Sequence, residues 1–155
     1  AVDTWGFTIH HPFHAVYDSN HRSVYLMTQR NRRHPYLALF DSADPNLSIG
    51  SRQPTTTPTQ ALYLMNSEFV HVQARGFAAR LLRSKGTNKE RVRLAFELGH
   101  GRQPPEGEFQ AAVDFLSNYV GQLSTVNQEQ TDHRLAAWSA LARVILTSNA
   151  FLFVD

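Results

Sequence analysis

The sequence predicts a mainly α-helical fold, an irregular bundle of about five helices preceded by an irregular N-terminal arm. Three observations predict it. Beyond residue 57, apolar side chains recur at three- and four-residue spacing, the period of a helix buried along one face. Helix-starting and helix-stopping residues punctuate that stretch, so connections are short and neighbouring helices pack antiparallel. Before residue 57 the period is missing, and prolines, histidines and aromatics are mixed together. No repeat of solenoid length is present.

In chain order, residues 1 to 21 read as irregular. Ile9-His-His-Pro-Phe-His14 sets aromatic and imidazole groups around a proline that breaks regular structure. Residues 23 to 30 fit either a short strand or a helical turn. Val24, Leu26 and Thr28 alternate with Tyr25 and Met27, and both sets carry apolar residues, so period does not decide. One or two helical turns are expected over 35 to 41, after Pro35. Residues 42 to 56 hold Ser, Asp, Pro, Asn, Gly and Thr and read as a long loop. Loops of that length are often functional or packed by their own side chains.

Thr57 then fits an N-cap, Pro58 the first helical position and Gln60 the third, which together make a capping box. This helix runs through Ala61, Leu62, Leu64 and Met65 until Asn66-Ser67 interrupts it and caps the next. The second helix, about 67 to 84, places Phe69, Val70, Ala74, Phe77, Ala78, Leu81 and Leu82 on one stripe, and Gly86 ends it. A third, 88 to 98, presents Val92, Ala95 and Phe96, with Gly99 and Gly101 as stops. Pro104-Pro105 starts a fourth over 105 to 120, with Phe109, Ala112, Val113, Leu116, Tyr119 and Val120 at core spacing and Gly121 closing it. Residues 122 to 131 are polar, lack periodicity and read as a loop. The last helix, 132 to 147, carries Leu135, Trp138, Leu141, Ala142 and Ile145. Ser148-Asn149 then precedes a short apolar tail, Phe151-Leu-Phe-Val154.

Length and composition set limits. A chain of 155 residues suits one domain, read here as an arm and loop over 1–56 and a bundle over 57–155. Roughly 150 residues bury about 70% of their unfolded surface, enough for one core. There is no cysteine, which excludes disulfides, thiolate metal sites, covalent haem attachment and cysteine nucleophiles within the chain. Thirteen of the fifteen basic residues are arginine, while the net charge is only +2. Guanidinium favours fixed, bidentate contacts to carboxylate, sulfate or phosphate. No run of 18 apolar residues exists, so no membrane span is expected. The start, Ala1-Val-Asp-Thr-Trp5, has neither Met nor a signal peptide and is expected of a C-terminal fragment of a larger protein.

Several segments share one resemblance. They are Arg22-Ser-Val-Tyr-Leu-Met-Thr-Gln-Arg30, His34-Pro-Tyr-Leu-Ala-Leu-Phe-Asp41, Thr55-Thr-Thr-Pro-Thr-Gln-Ala-Leu62, Leu64-Met-Asn66-Ser-Glu-Phe69 and the closing Leu146-Thr-Ser-Asn149-Ala-Phe151-Leu-Phe-Val-Asp155. With Trp5-Gly-Phe-Thr and Tyr17-Asp18, they resemble the cytochrome-c-associated C-terminal domain of unknown function found in large planctomycete and verrucomicrobial proteins (the domain of unknown function 1553 family). The resemblance covers nearly the whole chain. It implies an exported, multi-domain protein, periplasmic or extracellular, with a neighbouring redox domain, and it implies no reaction. The chain departs from the pattern twice. After Pro104, the expected threonine is Pro105, while the glutamate three residues on remains as Glu108. In the closing motif, the expected glutamate before Phe151 is Ala150, so no role of that carboxylate carries over.

Candidate sites cluster before residue 61. Arg22, Arg30 and Arg52, with Arg32 and Arg33 nearby, suit an anion pocket, helped by a helix N-terminus at Thr57-Pro58. The alternative is that Arg22 and Arg30 pair with Asp18, Asp41 or Asp44 and pin the long loop. Thr55, Thr56, Thr57 and Gln60 suit sugar hydroxyls, although the capping box alone accounts for Thr57 and Gln60. Tyr17, Tyr25, Tyr36 and Trp5 suit a stacking platform for sugar or guanidinium. His10, His11 and His14, completed by His21 or Asp18, suit a metal poorly, because adjacent histidines around a proline rarely give the needed geometry. Ser23 and Ser42 lack a nucleophile elbow, and no Gly-rich phosphate loop exists. No helix carries a one-sided basic stripe, so nucleic acid is not expected as a partner. The ligand-binding set is thus Arg22, Arg30, Asp41, Asp44, Arg52 and Thr55, with no catalytic or metal residue and no cofactor. The leading expectation is a non-catalytic interaction or scaffold module docking onto upstream domains of the same polypeptide. The alternatives are a role on acidic, sulfated polysaccharide and an accessory role to a c-type cytochrome domain.

Overall fold

A computed structural model describes residues 23–25, 35–44, 46–48, 50, 55, 57–126 and 132–153. Its helices are α1 (Pro35–Leu39), α2 (Pro58–Asn66), α3 (Glu68–Arg83), α4 (Asn88–His100), α5 (Glu106–Val126), α6 (His133–Leu146) and α7 (Asn149–Leu152). A 3-10 turn forms at Ser23–Tyr25, which favours the turn over the strand there. There is no strand among the described residues. The fold is mainly helical, as the sequence predicts, and two compact units divide it, Ala1–Ala61 and Leu62–Asp155.

In the first unit, α1 stops in a left-handed turn. Asp41 has φ 53, and the Ser42 amide donates to the Leu37 carbonyl at 2.9 Å, the long-reach bond that closes a helix of this kind. Pro35 opens the helix at the position where a missing N–H costs nothing. Further on, the predicted capping box forms. The Gln60 amide donates to Thr57 Oγ1 at 3.3 Å, and the Thr57 amide donates to Gln60 Oε1 at 3.1 Å.

In the second unit, α6 is the hub. It packs most extensively on α3 and also touches α4, α5 and α7. Its buried residues Ala137, Trp138, Leu141, Ala142 and Ile145 meet Ala74, Ala78 and Leu81 of α3, Val92, Ala95 and Phe96 of α4, and Phe109, Ala112 and Leu116 of α5 in one core. The apolar periods therefore place the core correctly on every long helix of this unit, except that Val120, predicted at core spacing on α5, is exposed near the helix end. Phe69 differs: it sits at a stripe position yet is largely exposed, because the arc of α3 that meets α6 centres on Val70, Ala74, Ala78 and Leu81.

Three boundaries also differ from expectation. Gly99 does not stop α4. It lies inside the helix, and a Cβ built there would fall 2.5 Å from Ile145 Cγ2, so its missing side chain lets α4 approach α6. Gly101, at φ 67, supplies the left-handed cap. Gly121 does not close α5, which runs on to Val126. An isolated glycine costs a helix only about 1 kcal/mol, too little to end one this long. Of the predicted loop 122–131, residues 127–131 lie outside the described set. Finally, the closing apolar tail begins as a helical turn, α7, because the Ser148 carbonyl accepts from the Phe151 and Leu152 amides.

Candidate functional site

Three of the six candidate binding residues are described, and the structure draws two of them together. Asp41 Oδ2 accepts from the Thr55 hydroxyl at 2.5 Å, the Thr55 amide at 3.2 Å and the Gln60 amide nitrogen at 3.4 Å. That Gln60 nitrogen also donates to the Leu39 carbonyl at 2.9 Å, and Gln60 is the buried polar side chain of α2. One carboxylate and one amide thus tie the end of α1, the far end of the 42–56 loop and the start of α2 into a knot. A non-glycine residue in the left-handed region is uncommon, and aspartate is among the few that tolerate it. Here the strained residue is also the one whose carboxylate gathers the donors.

Asp44 stands apart from this knot. Its Oδ1 accepts from the Asn46 amide at 2.9 Å and its carbonyl from the Leu47 amide at 3.2 Å, which makes a side-chain-nucleated turn within the loop. Tyr36 packs against Phe40, with ring centroids 4.9 Å apart and the rings tilted by 47°. Arg22, Arg30 and Arg52 lie outside the described residues, as do Arg32, Arg33, Trp5, Tyr17, Asp18, His21 and the histidines His10, His11 and His14. Among the described residues, no group of three His, Asp or Glu is arranged to hold a metal ion.

A second polar cluster, not anticipated from sequence, lines the junction of α3 and α6. His71 Nε2 lies 3.2 Å from the Met65 carbonyl, so that nitrogen carries the proton. Arg143 Nη1 then donates to Nδ1 at 3.3 Å. Beside it is a groove of about 380 Å³ lined by Glu68, His71, Val72, Arg75, Asp132 and Ser139, among others. Its polar groups are largely committed. Asp132 Oδ1 caps α6 by accepting from the Leu135 amide at 3.0 Å, and both His71 nitrogens have partners. His71 and Arg143 are 72 residues apart, and no local spacing links them.

Glu108, the carboxylate that the resemblance singles out, has a structural explanation. The Pro105 carbonyl accepts from the Phe109 amide at 2.9 Å, so Pro105 is the N-cap of α5 and Glu108 the third helical residue. A threonine at 105 would complete a capping box with Glu108. Pro105 has no hydroxyl to offer, and Glu108 instead accepts from Arg102 at 3.0 Å in an exposed ion pair.

No curated protein and no solved structure matches the chain. One family model does, that of PSD1, described as a protein of unknown function (DUF1553). The match runs over residues 8–116, well over half of the chain, and takes in the Asp41 knot, α1 to α4 and most of α5; the chain belongs to this family.

Proposed function

We propose that the chain is a non-catalytic interaction module that docks onto neighbouring domains of a larger, exported polypeptide. The observation that carries this reading is an apolar set left in water on consecutive helices. Leu62 and Met65 of α2 and Phe69 and Val72 of α3 are each between 55% and 63% exposed. Single exposed apolar residues are ordinary, but here two pairs at helical i, i+3 spacing, Leu62 with Met65 on α2 and Phe69 with Val72 on α3, stand exposed on consecutive helices. Arg75, Arg80 and Arg83 follow on α3, and no carboxylate among the described residues pairs with them. Meanwhile Asp41, Glu90, Glu108 and Asp132 are taken up by caps, turns and an ion pair, which supports a structural rather than a chemical use of these carboxylates. The larger polypeptide and its export are implications of the family resemblance. The cytochrome reading rests on that resemblance alone; the polysaccharide reading adds Arg22, Arg30, Arg52, Asp41 and Asp44, of which the arginines lie outside the described residues.

Oxidative footprinting tests the proposal. Met65 and Phe69 are expected to label readily in the isolated chain and several-fold more slowly in the full-length polypeptide. Equal labelling in both would remove the docking reading.

A further inference from the structure

A second groove lies between α4, α5 and α6, and nothing in the docking reading uses it. It holds about 400 Å³, within the range of about 300–1,000 Å³ typical of small-molecule sites. Its floor is the core itself: Val92, Ala137 and Trp138 are almost fully buried. Val113 and Leu116 add apolar wall from α5. The polar side of the rim differs in kind. Arg134 and Asn88 meet there, with Arg134 Nη2 3.5 Å from Asn88 Oδ1. The same Oδ1 accepts from Arg91 Nη1 at 3.3 Å, so two guanidinium groups share one neutral oxygen. Among the described residues no carboxylate answers Arg134.

An apolar trough whose rim carries a cation that no described carboxylate pairs with selects a particular ligand class. Burying hydrocarbon against Val113 and Val120, the apolar wall residues that keep exposed area, removes apolar surface from water, which is favourable. A single anionic head then satisfies the guanidinium in a charge-assisted, fork-to-carboxylate contact. We infer that this groove binds a small amphipathic carboxylate, its apolar body on Val113 and Val120 above the buried Trp138 and its head group on Arg134 and Asn88. The opposite charge is disfavoured by Arg134 and Arg91 together, and a neutral head leaves Arg134 as it is.

The chain has two tryptophans, so in a Trp5→Phe background Trp138 reports on the groove alone. Three matched probes are titrated into that full chain: 4-phenylbutyrate, 4-phenylbutanol and 4-phenylbutylamine. A saturable change in Trp138 emission is expected with the carboxylate, with affinity at least about tenfold better than for the alcohol or the amine. Arg134→Ala should bring the carboxylate down to the level of the alcohol. Arg134 is exposed, so the fold survives this change, and the melting curve verifies it. Ser117→Phe, from an exposed position on the groove wall, should abolish binding of all three. Absence of a saturable response to 4-phenylbutyrate in folded protein overturns the inference. So does equal affinity for the three probes with no effect of Arg134→Ala, or binding that survives Ser117→Phe. None of these results depends on residues 62–72, so this site and the docking face stand or fall separately.

Discussion

At Glu90 a single carboxylate oxygen serves two donors. Glu90 Oε2 accepts from the Thr87 amide at 2.6 Å and from the Thr87 hydroxyl at 2.9 Å, while Thr87 Oγ1 accepts from the Glu90 amide at 3.3 Å. The backbone donor at Thr87 holds the carboxyl below its ordinary value of 4.5, aided by the Thr87 hydroxyl and the charge of Arg91, with slight desolvation opposing. A lowered folded-state pKa means that the stabilisation is present above the ordinary glutamate range and fades as pH falls through the folded value. Glu90→Gln keeps the acceptor but not the charge. Wild type is therefore expected to melt above Glu90→Gln at pH 7, and the gap to close as pH falls below 4.5. A gap that persists unchanged into acid would refute this account of the cap. Legibility at this scale follows sequence distance. The box at Thr57 and Gln60 can be read from its three-residue spacing, and Thr87 and Glu90 carry the same signal. The partners of Asp41 lie 14 and 19 residues away, and only folding brings them to it. Asp41 is therefore legible as a candidate binding residue at the end of a helical turn but not as the centre of a knot.

Helices inherit a different kind of legibility. The apolar period specifies which face is buried, because a helix can stabilise itself only by covering that face. It does not specify how wide an arc the neighbours cover. So Val70, Ala74, Ala78 and Leu81 are core as the pattern predicts, while Phe69, at the edge of the same arc, remains in water. Glycine inside a helix is the other ambiguity, since the letter alone does not separate a stop from a close approach. Two glycines make the distinction measurable. Gly76 lies within α3 with nothing within 4 Å of a built Cβ, whereas Gly99 meets Ile145 at 2.5 Å. Gly76→Ala is expected to stabilise by about 0.5–1 kcal/mol through helix propensity. Gly99→Ala gains the same propensity but must push apart α4 and α6, at a cost of about 1–3 kcal/mol. At about 2–4 °C per kcal/mol, the two melting temperatures should move in opposite directions. If both rise, Gly99 is not a packing residue.

At the level of the whole molecule, every member of the hydrophobic core among the described residues, from Ala74 to Ile145, belongs to the second unit. What the described residues of the first unit contribute is the Asp41 knot and the cap of α2, which are hydrogen-bonded devices. Hydrophobic burial is the dominant favourable term in folding, so cooperativity should reside where that burial is. The tie between α4 and the chain's end points the same way. Ser148 Oγ donates to the Ile145 carbonyl at 2.8 Å, which leaves it to accept from His100 Nε2 at 2.9 Å, all within residues 62–155. A protein beginning at Leu62 loses Thr57 and Gln60, so its remnant of α2 should fray. It keeps the core that the described residues form and retains Trp138 as its sole tryptophan. That shortened protein is expected to melt in one cooperative transition, with Trp138 emitting as a buried indole until the midpoint. A broad, non-cooperative melt with Trp138 solvent-exposed at low temperature would mean that the bundle needs residues 1–61 to fold, and the core would then be a necessary but insufficient part of what holds this chain together.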